Sequence, residues 1–362
     1  MTLNKLCLSI ALTGLLFTYG CHKKAENLIQ YDNPLIGTGP STGPNALKHT
    51  KGTEGWGQDV PAVSTPFGMA QWTPQTRDTE NKCVSPFYFG DQRIQGFRGT
   101  HWLGGSCTQD YGSVTIMPVT GYLKTFVRDR ASSFRRETVT STPAYYSIML
   151  DDYVTFVEMT GTARTGFFRL SYVKEDNVKI LIVPNSDEGQ GYIKIDPEKQ
   201  EIYGYNPVHR IYQGSGQPAG FNGYFVVRFN KPFDNYGSFF QMENHEKELE
   251  ISGRPDIGGY AAFNVKGSDV ILAKVGTSFT SIEEARVPTW MPKYPTGNSK
   301  KPELKPRISG TNRSRPFSWK EEKAKTTPSF TRPCTTPCFT HAQSAMWMAP
   351  IRLSMETSRF RK

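Results

Sequence analysis

The chain has 362 residues, 43 Lys and Arg against 33 Asp and Glu, and a formal net charge of +10. Residues 287–362 hold 15 Lys and Arg against 4 Asp and Glu, whereas residues 1–286 hold 28 against 29. The length admits two domains or one large β-structure with a tail, and a neutral body argues against a nucleic-acid partner, which demands a charged surface.

Behind Lys5, the apolar run Leu6–Phe17 is too short to span a bilayer and reads as an export signal. It closes on Thr18-Tyr19-Gly20-Cys21, which resembles a bacterial lipoprotein signal despite the bulky Tyr19. Residues 1–21 are then the signal, Cys21 is lipidated, and that lipid is the chain's membrane anchor; ordinary secretion is the alternative. The expected address is outer-membrane lipoprotein, periplasm or secreted. The other cysteines separate by position. Cys83 and Cys107 form a candidate disulfide, a pairing that spacing does not decide. Cys334 and Cys338 with His341 imitate half a zinc site that nothing completes, so no metal is expected there.

Residues 31–51 are extended and then rich in Gly and Pro, and Glu54-Gly55-Trp56-Gly57-Gln58-Asp59 continues as loop. Prolines bracketing the β-branched run from Pro61 to Thr76 permit loop and edge strand but no helix. The segment Gly96–Pro118 crowds glycines around His101, Trp102, Cys107 and Asp110, then alternates as a strand over Ser113–Met117. Such glycine density brings backbone close to something or into conformations closed to a Cβ. Two readings stand for it: an indole and imidazole facing a sugar, or a β-turn around a buried tryptophan.

Period-two alternation predicts strands at Tyr145–Leu150, Val154–Met159 and Phe167–Tyr172. Lys179–Val183 is a buried run, and Tyr224–Phe229, Ala261–Val265 and Val270–Val275 complete the series. Regular turn signals without a long helical period indicate an all-β fold, a large antiparallel β-sandwich over residues 22–286. Lys247–Glu250 and Ser281–Arg286 are the helix-like fragments, and Ser281 with Glu284 makes a capping box. From Val287 on, 10 prolines, scattered charge and no periodicity predict a disordered basic tail over 287–362.

Several motifs together resemble the N-terminal domain of glycoside hydrolase family 92, the calcium-dependent, inverting α-mannosidases. They are Asn33–Gly39, Pro66–Gln71, Gly96–Trp102, Gly105–Cys107, Asp110–Gly112, Gly223–Phe229 and Lys274–Phe279. The resemblance implies a galactose-mutarotase-like sandwich followed by an (α/α)6 barrel that owns the catalytic acid, the base and most calcium ligands. It covers residues 30–286 and implies mannose-containing glycans as partners, with calcium held by the full-length family and none expected on this chain.

The tail also bears on the missing barrel. Read from the third base of each codon, Met346-Trp347-Met348-Ala349 must give Val-Asp-Gly, and Trp290-Met291-Pro292 must give Asp-Ala. Strings resembling the family's linker and first barrel helices follow with permitted codons, so a frameshift near Arg286 is expected.

Inversion needs two carboxyls roughly 6.5–9.5 Å apart. Glu54, Asp59, Asp78 and Asp110 offer no defensible pairing, and no catalytic residue is assigned. Asp110 reads as a turn carboxylate on backbone amides and Arg98 as a carboxylate's partner. Substrate contact falls to Trp102 and His101, then to Trp56 and Glu54. The expected function is the N-terminal fragment of an exported α-mannosidase, inactive alone. The alternatives are a stand-alone carbohydrate-binding module and a non-functional remnant.

Overall fold

The structure, a computed structural model, describes residues 28–40, 42–43, 53–77, 83–105, 109–174, 176–186, 189–209 and 218–289. Backbone proximity divides the chain into residues 1–295 and 296–362, and the second unit lies outside the described residues.

Alternating and β-branched sequences form β1 (Gln71–Gln75), β2 (Arg93–Ile94), β3 (Gly96–Thr100), β4 (Val114–Thr120), β5 (Ser132–Ser133) and β6 (Thr140–Thr142). They continue through β7 (Tyr145–Leu150), β8 (Thr155–Gly161), β9 (Thr165–Tyr172), β10 (Asp176–Val183), β11 (Tyr192–Asp196) and β12 (Glu201–His209). The last are β13 (Pro218–Phe229), β14 (Asn235–Phe240), β15 (Glu243–Glu246), β16 (Glu250–Ser252), β17 (Ile257–Val265) and β18 (Val270–Ser278). Two short helices, α1 (Val127–Arg130) and α2 (Ile282–Arg286), accompany them.

Among the described residues the strands form a seven-stranded sheet, β1-β3-β4-β10-β17-β14-β15, and a nine-stranded sheet, β16-β11-β12-β13-β18-β9-β8-β7-β6. A small β2-β5 pair stands beside them, and neighbours run antiparallel. The all-β expectation holds. β1 is an edge strand, which suits its proline, Pro74.

The core shows why period two matters. Phe168, Leu170 and Tyr172 on β9 are buried while Phe167, Arg169 and Ser171 between them are half-buried. Trp72 joins the sheets and is 0% exposed. A Cβ on Gly99 of β3 would sit 2.9 Å from its ring, and one on Gly166 of β9 would sit 2.3 Å away. The indole therefore spans both sheets because two glycines make room, and it meets Phe168 edge-on at 5.2 Å.

The capping box forms, with Glu284 N donating to Ser281 Oγ at 3.1 Å. The helix α2 lies against β18, where a Cβ on Gly276 would fall 2.0 Å from the Ala285 carbonyl oxygen. Arg286 Nη2 reaches Glu201 Oε1 at 2.8 Å and Arg228 Nη2 reaches its Oε2 at 2.8 Å, and the Glu201 side chain is 0% exposed. Two expectations need correction. Lys247–Leu249 turn rather than coil, because Lys247 takes φ +61° and Glu250 already starts β16. Structure also runs slightly past Arg286, as Val287–Thr289 make a 3-10 turn packed on β18. The signal, Cys21, the candidate zinc half-site and the tail from residue 290 lie outside the described residues.

Candidate functional site

The glycine-rich link from β3 to β4 is built on an ion pair. Arg98 and Asp110 side chains are 0% and 1% exposed, and Arg98 Nε donates to Asp110 Oδ2 at 2.7 Å. The same oxygen accepts from Thr100 Oγ1 at 2.8 Å, and Oδ1 accepts from the amides of His101 and Tyr111 at 3.0 and 2.9 Å. A buried carboxylate needs donors on both oxygens, and this one has them. Asp110 is thus the turn carboxylate that the sequence indicated, and Arg98 is its partner. Neither is placed to act as acid or base.

That pair fixes the next two side chains, and both differ from the sugar-facing reading. Trp102 is 2% exposed, its amide bonds Thr100 Oγ1 at 3.0 Å, and its Nε1 donates to the Gln58 carbonyl at 2.6 Å. Its faces are packed in protein, so it is a post between loops, not a stacking surface. His101 is 8% exposed between the Tyr111 and Phe279 rings, whose centroids lie 5.2 and 4.6 Å away. Its Nδ1 is 2.8 Å from the Tyr111 carbonyl, which assigns the proton to Nδ1 and leaves Nε2 an acceptor, buried without a partner among the described residues. Burial holds the imidazole below its ordinary pKa. Of the two sequence readings, the buried-tryptophan turn is the one the structure adopts.

The post supports a shelf of four loops. The Gln58 carbonyl also accepts from Gly105 N at 3.2 Å, and Gln58 Nε2 donates to the Cys83 carbonyl at 3.1 Å. The amides of Gln58 and Asp59 donate to the Gly37 carbonyl at 3.0 and 3.1 Å, and Phe89 N donates to Thr38 O at 2.8 Å. Segments 33–39, 53–60, 83–91 and 101–105 are thereby one surface.

On that surface Trp56 is 49% exposed. The Arg77 guanidinium lies 4.7 Å from the Trp56 ring and 4.6 Å from the Tyr88 ring, and it pairs with Asp91 at 3.2 Å. The indole is thus packed against a cation while about half of the residue stays exposed. Asp59 stands three residues on. Its carboxylate is wedged where a Cβ on Gly37 or Gly104 would come within 2.0 or 2.3 Å, and it has no hydrogen-bond or ion-pair partner among the described residues. Desolvation raises its pKa above the usual carboxylate value. Sequence reasoning weighed Asp59 only as half of a catalytic pair. The signal for its location was the glycine on each facing loop.

Glu54 sits in the 3-10 turn Thr53–Trp56, and its side chain is outside the described residues, as is Cys107. Cys83 is disulfide-bonded, to a cysteine outside the described residues. No three of His, Cys, Asp and Glu gather among the described residues, and Asp110 is committed to its four donors. No step is derived through calcium.

The architecture is that of the sandwich part of solved glycosidases. The inverting mannosidase BT2199 of Bacteroides thetaiotaomicron, family GH92, superposes with a TM-score of 0.62 at 25% identity, over 73% of this chain and 33% of its own. The GH92 α-mannosidase BT3965 of the same organism gives 0.59 at 23% identity, over 72% and 34%. A second structure of it, in complex with mannoimidazole, gives 0.59 at 22% identity. The chain thus spans about a third of the length of these relatives. Curated proteins gave no match. The sequence matches the glycosyl hydrolase family 92 N-terminal domain over residues 31–278, and the chain belongs to that family.

Proposed function

We propose that the chain is the sandwich portion of an exported enzyme that trims α-linked mannosides, and that its own share of the work is to hold the sugar. The observations that carry this are the exposed Trp56 ring under the Arg77 guanidinium and, three residues on, the Asp59 carboxylate, which has no hydrogen-bond or ion-pair partner among the described residues. A flat ring takes the apolar C–H face of a pyranose, and a carboxylate accepts from its hydroxyls. Hydrolysis by this chain unaided is not expected, since the family resemblance puts the catalytic acid and base in the barrel and not in the sandwich. The disulfide at Cys83 suits an oxidising compartment outside the cytoplasm. Lipidation at Cys21 is part of the same reading, checked by the mass of the mature N-terminus. So is the frameshift near Arg286, checked by independent reads of the gene.

The test is titration of the mature chain with α-linked mannobiose, followed by tryptophan fluorescence, with mannose release assayed in calcium. Trp56→Ala and Asp59→Asn should each weaken binding about tenfold or more, a loss of ~1.4 kcal/mol, with the thermal midpoint unchanged. Equal affinity in both variants would refute the assignment, and mannose release would refute the claim of inactivity. A stand-alone binding module is the second reading, favoured by the same exposed ring, and binding without any covalent continuation of the chain in its native host would select it.

A further inference from the structure

A second feature lies on the face of the seven-stranded sheet turned away from Trp72. Strand pairing puts Thr73, Arg98 and Thr115 in one row, on the side opposite Trp72, Phe97 and Ile116. On that side the sheet carries a cavity of about 220 Å³, lined among others by Gln75, Phe126, Arg128, Arg130, Asn185 and Asp256.

Its floor is a hydrogen-bond relay. Asn206 Nδ2 donates to the Asn185 carbonyl at 3.0 Å, and Asn185 Nδ2 donates to Thr115 Oγ1 at 2.8 Å. Thr115 Oγ1 donates to Gln75 Oε1 at 2.5 Å, and Gln75 Nε2 to the Arg77 carbonyl at 2.7 Å. Gln75 is thereby bonded at both ends of its amide, and Asn185 Nδ2 also donates to Ser113 Oγ at 3.0 Å. Arg130, 3% exposed, forms a wall and is tied by Nη1 to the Thr125 carbonyl at 2.7 Å.

The rim is different in kind. Arg128 and Asp256 are both exposed, and neither side chain has a hydrogen bond or ion pair among the described residues. Phe126 beside them is 39% exposed. Asp256 holds φ +53° and Gln241 φ +51°, and Gln241 N donates to Asp256 O at 3.2 Å, so two tight turns fix that side of the mouth.

The contents can be read from this chemistry. The volume equals roughly seven waters at ~30 Å³ each, the scale of one hexose. Planar carboxylate, guanidinium and amide groups make paired hydrogen bonds to neighbouring hydroxyls, and a half-exposed phenyl takes a C–H face. A bare oxyanion would suit the arginines but meet Asp256 at the mouth. We propose that this cavity is a subsite for one neutral saccharide residue, held by Arg128 and Asp256 over the Gln75–Asn185 floor. It stands independently of the Trp56 surface.

The experiment uses the full chain carrying Trp56→Ala, so that only the cavity is read, titrated with methyl α-mannoside by saturation-transfer NMR. Asp256→Asn and Arg128→Ser are added singly. Asn keeps the positive φ, and neither exposed side chain holds a bond whose loss would unfold the domain, which an unchanged thermal midpoint checks. Each should weaken binding at least fivefold. Absence of saccharide binding in the Trp56→Ala chain overturns the proposal, as does equal affinity in both added variants. Inorganic phosphate is the competing arm: phosphate binding that Arg128→Ser abolishes, without saccharide binding, marks an anion site and also overturns it. Failure of the Trp56 reading leaves these outcomes unaffected.

Discussion

Replacing Asp110 by asparagine tests whether the loops of the candidate site hang from the Arg98 ion pair. The side chain keeps its shape, and one oxygen still accepts from the amides of His101 and Tyr111. The other position becomes an NH₂ group facing Arg98 Nε–H, donor against donor, and the Thr100 hydroxyl loses its acceptor and must rotate. Because Arg98 is 0% exposed, water cannot take over. Breaking a buried pair from one side costs about 3–5 kcal/mol. At roughly 2–4 °C per kcal/mol for a domain of this size, the midpoint falls by about 6–20 °C. Against a typical stability of about 5–15 kcal/mol, a large part of the folded population is at risk. Urea unfolding followed by tryptophan fluorescence measures it. Arg98→Met added to Asp110→Asn should cost less than the sum of the two, with a coupling on the order of 1–3 kcal/mol. It should not restore wild-type stability, because the buried asparagine NH₂ then faces a methionine that offers it no comparable acceptor in place of the Arg98 ion pair. A loss under ~1 kcal/mol for Asp110→Asn, or strict additivity in the double variant, would defeat the reasoning.

Three further outcomes follow from the packing. Gly276→Ala places a methyl 2.0 Å from the Ala285 carbonyl, so α2 must lift; hydrogen exchange over residues 282–289 should rise sharply while the β-sheet amides keep their protection. Glu201→Gln leaves Arg228 and Arg286 without their carboxylate, and as both guanidiniums are partly wet the loss should lie near the low end, about 3 kcal/mol, by denaturant midpoint. His101 is neutral when folded because burial lowers its pKa, whereas the unfolded chain takes up a proton near pH 6.5. Its contribution is therefore complete above that pH and is lost as pH falls toward the folded value, by at most ~1.4 kcal/mol per pH unit. Comparing wild type with His101→Gln at pH 7.5 and 5.5 should show a smaller pH dependence in the variant; an equal dependence counts against the assignment.

The fold was legible where β-branched, aliphatic and aromatic residues run together between turn signals. Tyr145–Leu150 is β7 residue for residue, and the predicted runs in β8, β9, β10, β13, β17 and β18 fall on observed strands to within a residue or two at the ends shared. The strands that escaped notice are those whose exposed positions are charged or whose interiors hold turn formers. β12 carries Gly204 and Pro207 and is kinked where its register with β13 shifts between Pro207 and His209. β15 is Glu243–Glu246, without one aliphatic residue, and exists because β14 offers it an edge. Lys247–Glu250 carries helix formers, yet the hairpin turn at Lys247 overrides that preference.

The site was legible by residue type and illegible by side. Sequence identifies two tryptophans in glycine-rich loops, Trp56 and Trp102, and says nothing about which is wet. The decision rests on Asp110. By anchoring the amides of His101 and Tyr111, it turns the chain at the end of β3 so that Trp102 points inward to the Gln58 carbonyl. Once Gln58 is pinned, Trp56 two residues earlier lies on the surface, against Arg77. The same holds for the cavity, whose lining joins segments near residues 75, 128, 185 and 256, too far apart in sequence for any local pattern to unite them. One buried carboxylate thus allots the two indoles their separate tasks. On the proposed function, relaxing it should weaken sugar binding at Trp56 although Asp110 lies elsewhere, and Asp110→Asn chains that remain folded at low temperature should bind mannobiose more weakly with Trp56 intact.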